Sequence, residues 1–528
     1  MRRPARGNER SSSGRAVALA GVACAVVAAN VLVGSGATTA GAAPANVDPN
    51  GVLKYGFDLN NEFSNDFDPG TGQNDCSYTV LANLYQPLVV PNGNFAISGA
   101  VAQSWSSSSP STITFHLRPG LVFSNGDPVT STDVEDSLLH IAKSPLRGTD
   151  HTIASMSTPD PTTLVVNLKT PSQGDFLFVM SELDGLVMDP SNIPDASSHP
   201  VGSGPFELKS YQQGSSIVLT KNPRFWDPKA YPLGGVDFVQ VTNGPQAVTA
   251  LTSGAVDMVP IEPQNYPELK NNPNIGIAVS KSYDYATMQL RENQGPFTNP
   301  KVRAALEYAV DRAVLNRVVF NGLGEPAYQP WPSWSPAYNK ALGNIDTYNP
   351  TKARTMLAAA GIHKPVTFTL VVPGGDATFA RMAAIIQQEL GAAGFRASIQ
   401  QVPGSDYLVD VYVKKEGDAL LSLDLTNGMD LSNNYEAFFE PGYFSSEQLG
   451  TVNSQVTPLI IGATASLSPS VQGPAMQKVG KIVLQQGLEV PLVFEPTIIA
   501  YNKQRVGGTV TAPIGQCRSD LAGIYIKK

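Results

Sequence analysis

Apolar and polar positions switch between two periods along the chain, and the switches outline its elements. Val52 to Phe57 alternates weakly and predicts a first strand, while Tyr78 to Tyr85 (YTVLANLY) repeats at helical spacing. Leu88–Val90 predicts a short strand, Ile113–Leu117 alternates like another, and Pro119-Gly120 turns the chain. Thr130 and Thr132 each precede an acidic residue by three positions, Asp133 and Glu135, so a capped helix should start there and run toward Ala142. Phe206–Leu208, Ile217–Leu219 and Val236–Val241 predict strands, and Gln246–Ser253 a short helix ended by Gly254. From Asn299-Pro300 the apolar positions Val302, Ala305, Leu306, Ala309, Val310 and Ala313 predict one long amphipathic helix with Arg303 and Arg312 toward its two ends. A second helix is expected from Pro350 to just before Gly361. Val366–Val372, Phe379–Leu390 and Phe395–Ile399 then read strand, helix, strand. The serine-rich run Ser104–Ser111 reads as a solvent loop. Short strands alternating with helices predict α/β lobes.

Length and the N-terminus add what periodicity cannot. The 528 residues exceed what one compact core accommodates, so two or three lobes are expected. Arg2, Arg3, Arg6, Arg10 and Arg15 precede an apolar stretch from Ala16 to Val33, with small residues around Ala40, Gly41 and Ala42. That order predicts an export signal over residues 1–43; an uncleaved anchor is the other reading, because the apolar run is nearly long enough to span a bilayer. Loss of residues 1–43 removes five Arg and one Glu and takes the formal charge from −8 to −12. A body that acidic repels a phosphate backbone, so no nucleic-acid partner is expected.

Reactive side chains are sparse. Of three cysteines, Cys24 lies within the apolar leader, with Gly21 where a lipidation signal wants a large aliphatic residue. Cys76 and Cys517 form an even pair in an oxidising compartment, read either as a disulfide or as two separate buried thiols. The five histidines are scattered without a metal-ligand spacing, and neither metal nor cofactor is expected. Gly202–Gly204 is neither a phosphate cradle nor a nucleophile elbow, since Val201 stands where the elbow needs Gly.

Several segments together resemble the peptide/nickel family of periplasmic binding proteins. They are Val101–Trp105, Phe115–Gly120 and Val122–Ser137; Pro200–Phe206 followed by Lys221–Trp226; Leu251–Asp257; Pro296–Leu306 ending in Ala309–Arg312; and Asn349–Gly361. They occur in family order over nearly the whole mature chain. The resemblance implies a large three-domain α/β fold, with lobe I from residues 44–86, 200–286 and 495–528, an inserted domain at 87–199 and lobe II at 287–494. It also implies an extracytoplasmic binder, not an enzyme, that closes two lobes on a small molecule or peptide. As a monomer, it would deliver that solute to an ATP-binding-cassette (ABC) permease and its ATPase, touching the membrane only through the permease or an N-terminal anchor. Cys76 and Cys517 would share lobe I, which favours the disulfide.

The resemblance also points to ligand contacts. In peptide binders a loop following the strand that begins here near Asp418 carries an Asp that pairs with the peptide ammonium. Laid ungapped, that Asp falls on Asn427 and the loop's Trp on Asp424, while Asp430 matches a second Asp. Asn427 can accept a hydrogen bond but cannot neutralise a buried charge, which counts against free-amine peptides. Asp424 would supply the charge from a shifted position, or is a surface turn residue. Trp331 and Trp334, in a Pro-rich stretch, are read as cleft walls or as loop packing. Asp75 and Tyr85 flank the first helix near the cleft, with a cap and core packing as their other roles. A secreted hydrolase, or a surface sensor or adhesin retaining the fold, are the alternative functions.

Overall fold

The computed structural model describes residues 46–71, 75–91, 97–144, 152–242, 244–343, 347–403, 407, 409–424, 430–439, 441, 444–513 and 518–528. The strand Val52–Phe57 forms where its alternation put it, and it is the middle strand of a seven-stranded sheet. Leu53, Tyr55 and Phe57 point into one core because side chains two apart share a sheet face. Gly235–Gln240 and Met258–Pro260 run parallel beside it. Ser216–Lys221 and Phe206–Gln212 extend one side, Thr497–Asn502 and Ile275–Ser280 the other. A second core, including Val248, Leu251, Val259 and Ala500, covers the opposite face.

A six-stranded sheet is built from residues 285–494. Tyr285–Leu290 is buried at every position and lies antiparallel between Ala419–Asp424 and Glu489–Phe494. Val366–Gly374 and Phe395–Pro403 pair in parallel, so the chain between them must cross over, and it does so as the helix Ala377–Ala393. Asp376 caps that helix, accepting the N–H of Thr378 at 2.7 Å and of Phe379 at 3.1 Å. Gly394 ends it at φ 92°, where a β-carbon is costly. A further antiparallel sheet of four strands uses residues 102–168 and carries the helix Ser131–Ala142. There Thr130 and Asp133 form the reciprocal capping box that the sequence predicts.

Two expectations are corrected. The apolar stripe after Asn299 does not form one helix: Pro300–Leu306 and Arg312–Val319 are separate. The Asp311 side chain accepts the Val314 N–H and starts the second helix, so Ala309 and Val310 are buried in the turn between them and Ala313 is exposed. Arg312 is sealed between them, 2.7 Å from Glu307 and donating to the Pro491 carbonyl. The serine run is not a loop either. Ala102–Ser109 is an edge strand paired with Thr112–Leu117, and edge position explains why its residues are so polar.

The Gly202–Gly204 segment has a packing role. A β-carbon at Gly202 would lie 2.4 Å from the Leu84 carbonyl oxygen, and one at Gly204 2.5 Å from the Leu84 carbonyl carbon. These glycines let the strand entry lie directly on the end of the helix Tyr78–Leu84. Gly204→Ala is expected to lower stability by about 1–3 kcal/mol, as overpacking against backbone does. Urea unfolding checks this, and a loss under about 0.5 kcal/mol would contradict the packing argument.

Candidate functional site

The chain passes between the seven- and six-stranded sheets twice, outward through residues 281–284 and back through residues 495–496. The two passages lie side by side. Ser280 pairs with Thr497 on one sheet and Tyr285 with Phe494 on the other, and between them the Glu495 N–H donates to the Asp284 carbonyl at 2.9 Å.

Beside this double connection is a cleft of about 280 Å³. Tyr55, Phe57 and Ile261 line it from the seven-stranded sheet and its loops; Phe320, Phe379 and Leu423 line it from the six-stranded side. The Tyr55 hydroxyl is fixed by Ser519 Oγ at 2.5 Å, and its ring is held between Phe57 and Phe238.

Four carboxylates complete the lining: Glu62, Glu262, Asp376 and Glu495. Each is placed by local structure. Glu62 follows the first strand in a turn whose backbone bonds to Asp58, and Glu262 follows Met258–Pro260 with Gln264 donating to it. Asp376 is held at its helix terminus, and Glu495 belongs to the return connection. Among the described residues the lining contains no lysine, arginine or histidine. The Glu495 residue is half-buried, but its Oε1 is sealed from solvent and has no hydrogen-bond partner there. Burial first, then Asp376 and Asp284, push the Glu495 carboxyl up to about 8. Burial and Asp376 also raise Glu262.

The residues nominated from the sequence fall differently. Asn427 lies outside the described residues, as do Cys517 and the side chains of Asp75 and Asp424. The backbone of Asp424 ends its strand opposite Tyr285, beside the outward passage. Tyr85 is fully buried in the core of the seven-stranded sheet and is not among the residues that line this cleft. Trp331 is likewise not among the residues that line this cleft. It is 1 % exposed, its indole donates to the Leu431 carbonyl at 3.2 Å, and its face stacks on Tyr435 at 5.0 Å. Gly480 makes room for the ring, since a β-carbon there would be 3.0 Å from it. Trp334 is half-buried edge-on against Tyr283 and lines a smaller cavity of about 100 Å³ that Glu495 also reaches. Asp430 has a structural role: fully buried, it accepts from Ser432 and from Gln472 at 2.8 Å and anchors the chain that follows residues 425–429. Cys76 is disulfide-bonded. The four cleft carboxylates escaped the sequence reading because they come from segments far apart and follow no spacing rule.

No three acidic, histidine or cysteine side chains converge to hold a metal ion among the described residues, and no helix there is long and apolar enough to cross a membrane. What the geometry provides is an amphipathic space between two sheet-based bodies that the chain connects through paired passages. That is the architecture of a hinged binding protein.

The chain belongs to the bacterial extracellular solute-binding proteins of family 5, whose model matches residues 96–446. It is 25% identical over 473 residues to the glutathione-binding protein GsiB of Shigella dysenteriae, a match covering 83% of this chain and 89% of that one. The fold is similar to that of AgaA from Agrobacterium tumefaciens solved with agropinic acid, with a TM-score of 0.78 at 22% identity, covering 90% and 99% of the two chains. It is also similar to DppA of Helicobacter pylori in complex with the peptide STSA, with a TM-score of 0.78 at 21% identity and coverage of 92% and 99%. NikZ of Campylobacter jejuni with Ni(L-His) gives 0.76 at 20% identity, covering 89% and 97%. The protein is thus an extracellular solute-binding protein of that family.

The raised Glu495 carboxyl has a consequence for the empty protein. Folded, it keeps a proton up to about pH 8, whereas an ordinary glutamate loses it near 4.5. The unfolded chain therefore binds fewer protons between those values, and stability from this group, full below the lower one, declines as pH rises toward the upper. Glu495→Gln should melt about 1–3 °C above the wild type at pH 8 and together with it at pH 5. Calorimetry across that range checks this; a constant difference between the two proteins would contradict it.

Proposed function

We propose that the protein captures a small peptide or peptide-like solute in the cleft beside the paired passages and passes it, chemically unchanged, to a membrane permease driven by its ATPase. The observation that carries this reading is a cleft lined from both sheets and bordered by the two chain connections that join their described strands. Its volume of about 280 Å³ lies at the small end for organic ligands, which suits a solute of two or three residues' size. Relatives bearing the names of glutathione and peptide binders support that class. Binding would favour the closed arrangement of the lobes, the state a permease can distinguish from the open one.

In this reading the protein is exported by residues 1–43, acts as a monomer, and has lobe I at 44–86, 200–286 and 495–528, the inserted domain at 87–199 and lobe II at 287–494. Asn427 and Asp424 contact the solute from the loop after Ala419–Asp424, Asp75 from the opposite lobe, and Trp334 from beside the passages. Cys76 pairs with Cys517. Arg518, the next residue, lies over the Tyr78 ring at 5.8 Å, two positions from Cys76, which supports that pairing.

Native mass spectrometry of the protein purified from its own host should show a co-purified solute, and thermal shift with that solute should raise the melting temperature. Asn427→Leu should abolish the shift while leaving the melting of the free protein unchanged. An undiminished shift would remove Asn427 from the site. The absence of any solute bound to the cleft would remove the proposed function. Peptide mapping without reductant should recover Cys76 and Cys517 in one linked species, and separate free thiols would refute that pairing.

A further inference from the structure

The charge of the cleft is one-sided. Glu62 and Glu262 approach from the seven-stranded side, Asp376 from the six-stranded side and Glu495 from the connection, with no basic side chain among the described lining residues. The other charged groups around Glu495 do not reverse this balance. Asp284, on the outward passage, adds to the repulsion, and Lys281 and Glu325 share with Glu495 only the smaller cavity of about 100 Å³. Glu495 Oε1 is sealed without a hydrogen-bond donor, an arrangement that costs free energy until a donor arrives. Glu495 itself borders the cleft, and no lysine, arginine or histidine of the described lining stands opposite its carboxyl.

Resting on the proposed solute-binding function, we infer that the cleft selects solutes carrying an ammonium or guanidinium group, which Glu495, Glu262 and Asp376 receive between the two lobes. Two observations favour an organic cation over a bare metal ion. The carboxylates are distributed around the cleft, and no metal-holding group of three forms among the described residues. Aromatic rings, Tyr55, Phe57, Phe320 and Phe379, make up much of the remaining wall and suit the apolar body and the face of such a cation.

Carboxylates on both lobes also make the empty cleft hard to close, because closure brings like charges together in a medium of falling dielectric. A cation turns that repulsion into attraction across the gap. Cation entry also shifts a proton: Glu495, held near 8 in the free protein, ionises when a positive charge sits beside it. Near pH 7 binding should therefore release about one proton, and affinity should rise with pH up to about 8 and then level.

Titration calorimetry of the full mature protein with glycyl-lysyl-glycine, glycyl-glutaminyl-glycine, glycyl-glutamyl-glycine and agmatine tests this, with each titration run in two buffers of different ionisation enthalpy. The expected result is at least tenfold tighter binding of the lysyl than of the glutamyl peptide, with proton release for the lysyl peptide and for agmatine. In Glu495→Gln the preference should fall below about threefold and the proton release should vanish. Glu262→Gln should weaken the preference while keeping the release. Equal or tighter binding of the glutamyl peptide, no binding of either cation, or an unchanged preference in Glu495→Gln would overturn the inference. In the first case the solute-binding function would stand without it, whereas that function fails only if the cleft accepts no solute at all.

Discussion

The paired passage between the two large sheets constrains everything else in this molecule. Two extended segments, one outward and one returning, lie side by side and share a backbone hydrogen bond from Glu495 to Asp284. Immediately on either side, the same segments are locked into sheets by regular pairing, at Ser280 with Thr497 and at Tyr285 with Phe494. The stretch outside both ladders is thereby only a few residues long. A rotation there moves whole sheets as rigid bodies, because each has its own close-packed core and cannot deform gradually.

The placement of charge follows from that arrangement. A residue on the passage, such as Glu495, is shielded by both bodies yet belongs to the core of neither. A carboxylate there loses water without gaining a partner, which is why its proton is held so firmly. Asp376 and Asp284 add to it, and Asp376 also raises Glu262. Two unit charges about 6 Å apart at an effective dielectric near 20 repel by roughly 3 kcal/mol, comparable to the free energies that separate open and closed states. Structural cations are spent elsewhere. Arg312 faces Glu307, Arg303 faces Glu292, and Arg291 donates to the carbonyls of Val411, Glu416 and Gly417.

Aromatic residues illustrate the opposite outcome. Tryptophans in a Pro-rich loop suggest a ligand wall, yet Trp331 is consumed by a stack with Tyr435 and Phe439, under helices that bury it fully. A large ring contributes more by leaving water entirely than by lining an open space, and a loop can deliver it to either place. The phenylalanines and tyrosine that do line the cleft come from regular elements or their ends, where they had no distinguishing pattern.

Much of the architecture was legible in the sequence because it rests on local rules. The alternation of Val52–Phe57, the capping box at Thr130 and Asp133, the Asn349-Pro350 helix start and the strand–helix–strand run from Val366 each act within a few residues, and each forms as read. The order of motifs marked the family for the same reason. Tertiary structure decided what local rules could not. Whether Ala309 and Val310 continue a helix depended on the Asp311 cap, and whether serines form a loop or an edge strand depended on a partner strand. The meeting of Glu62, Glu262, Asp376 and Glu495 in one cleft was decided by folding alone, since electrostatic fields act through space and no spacing along the chain records them.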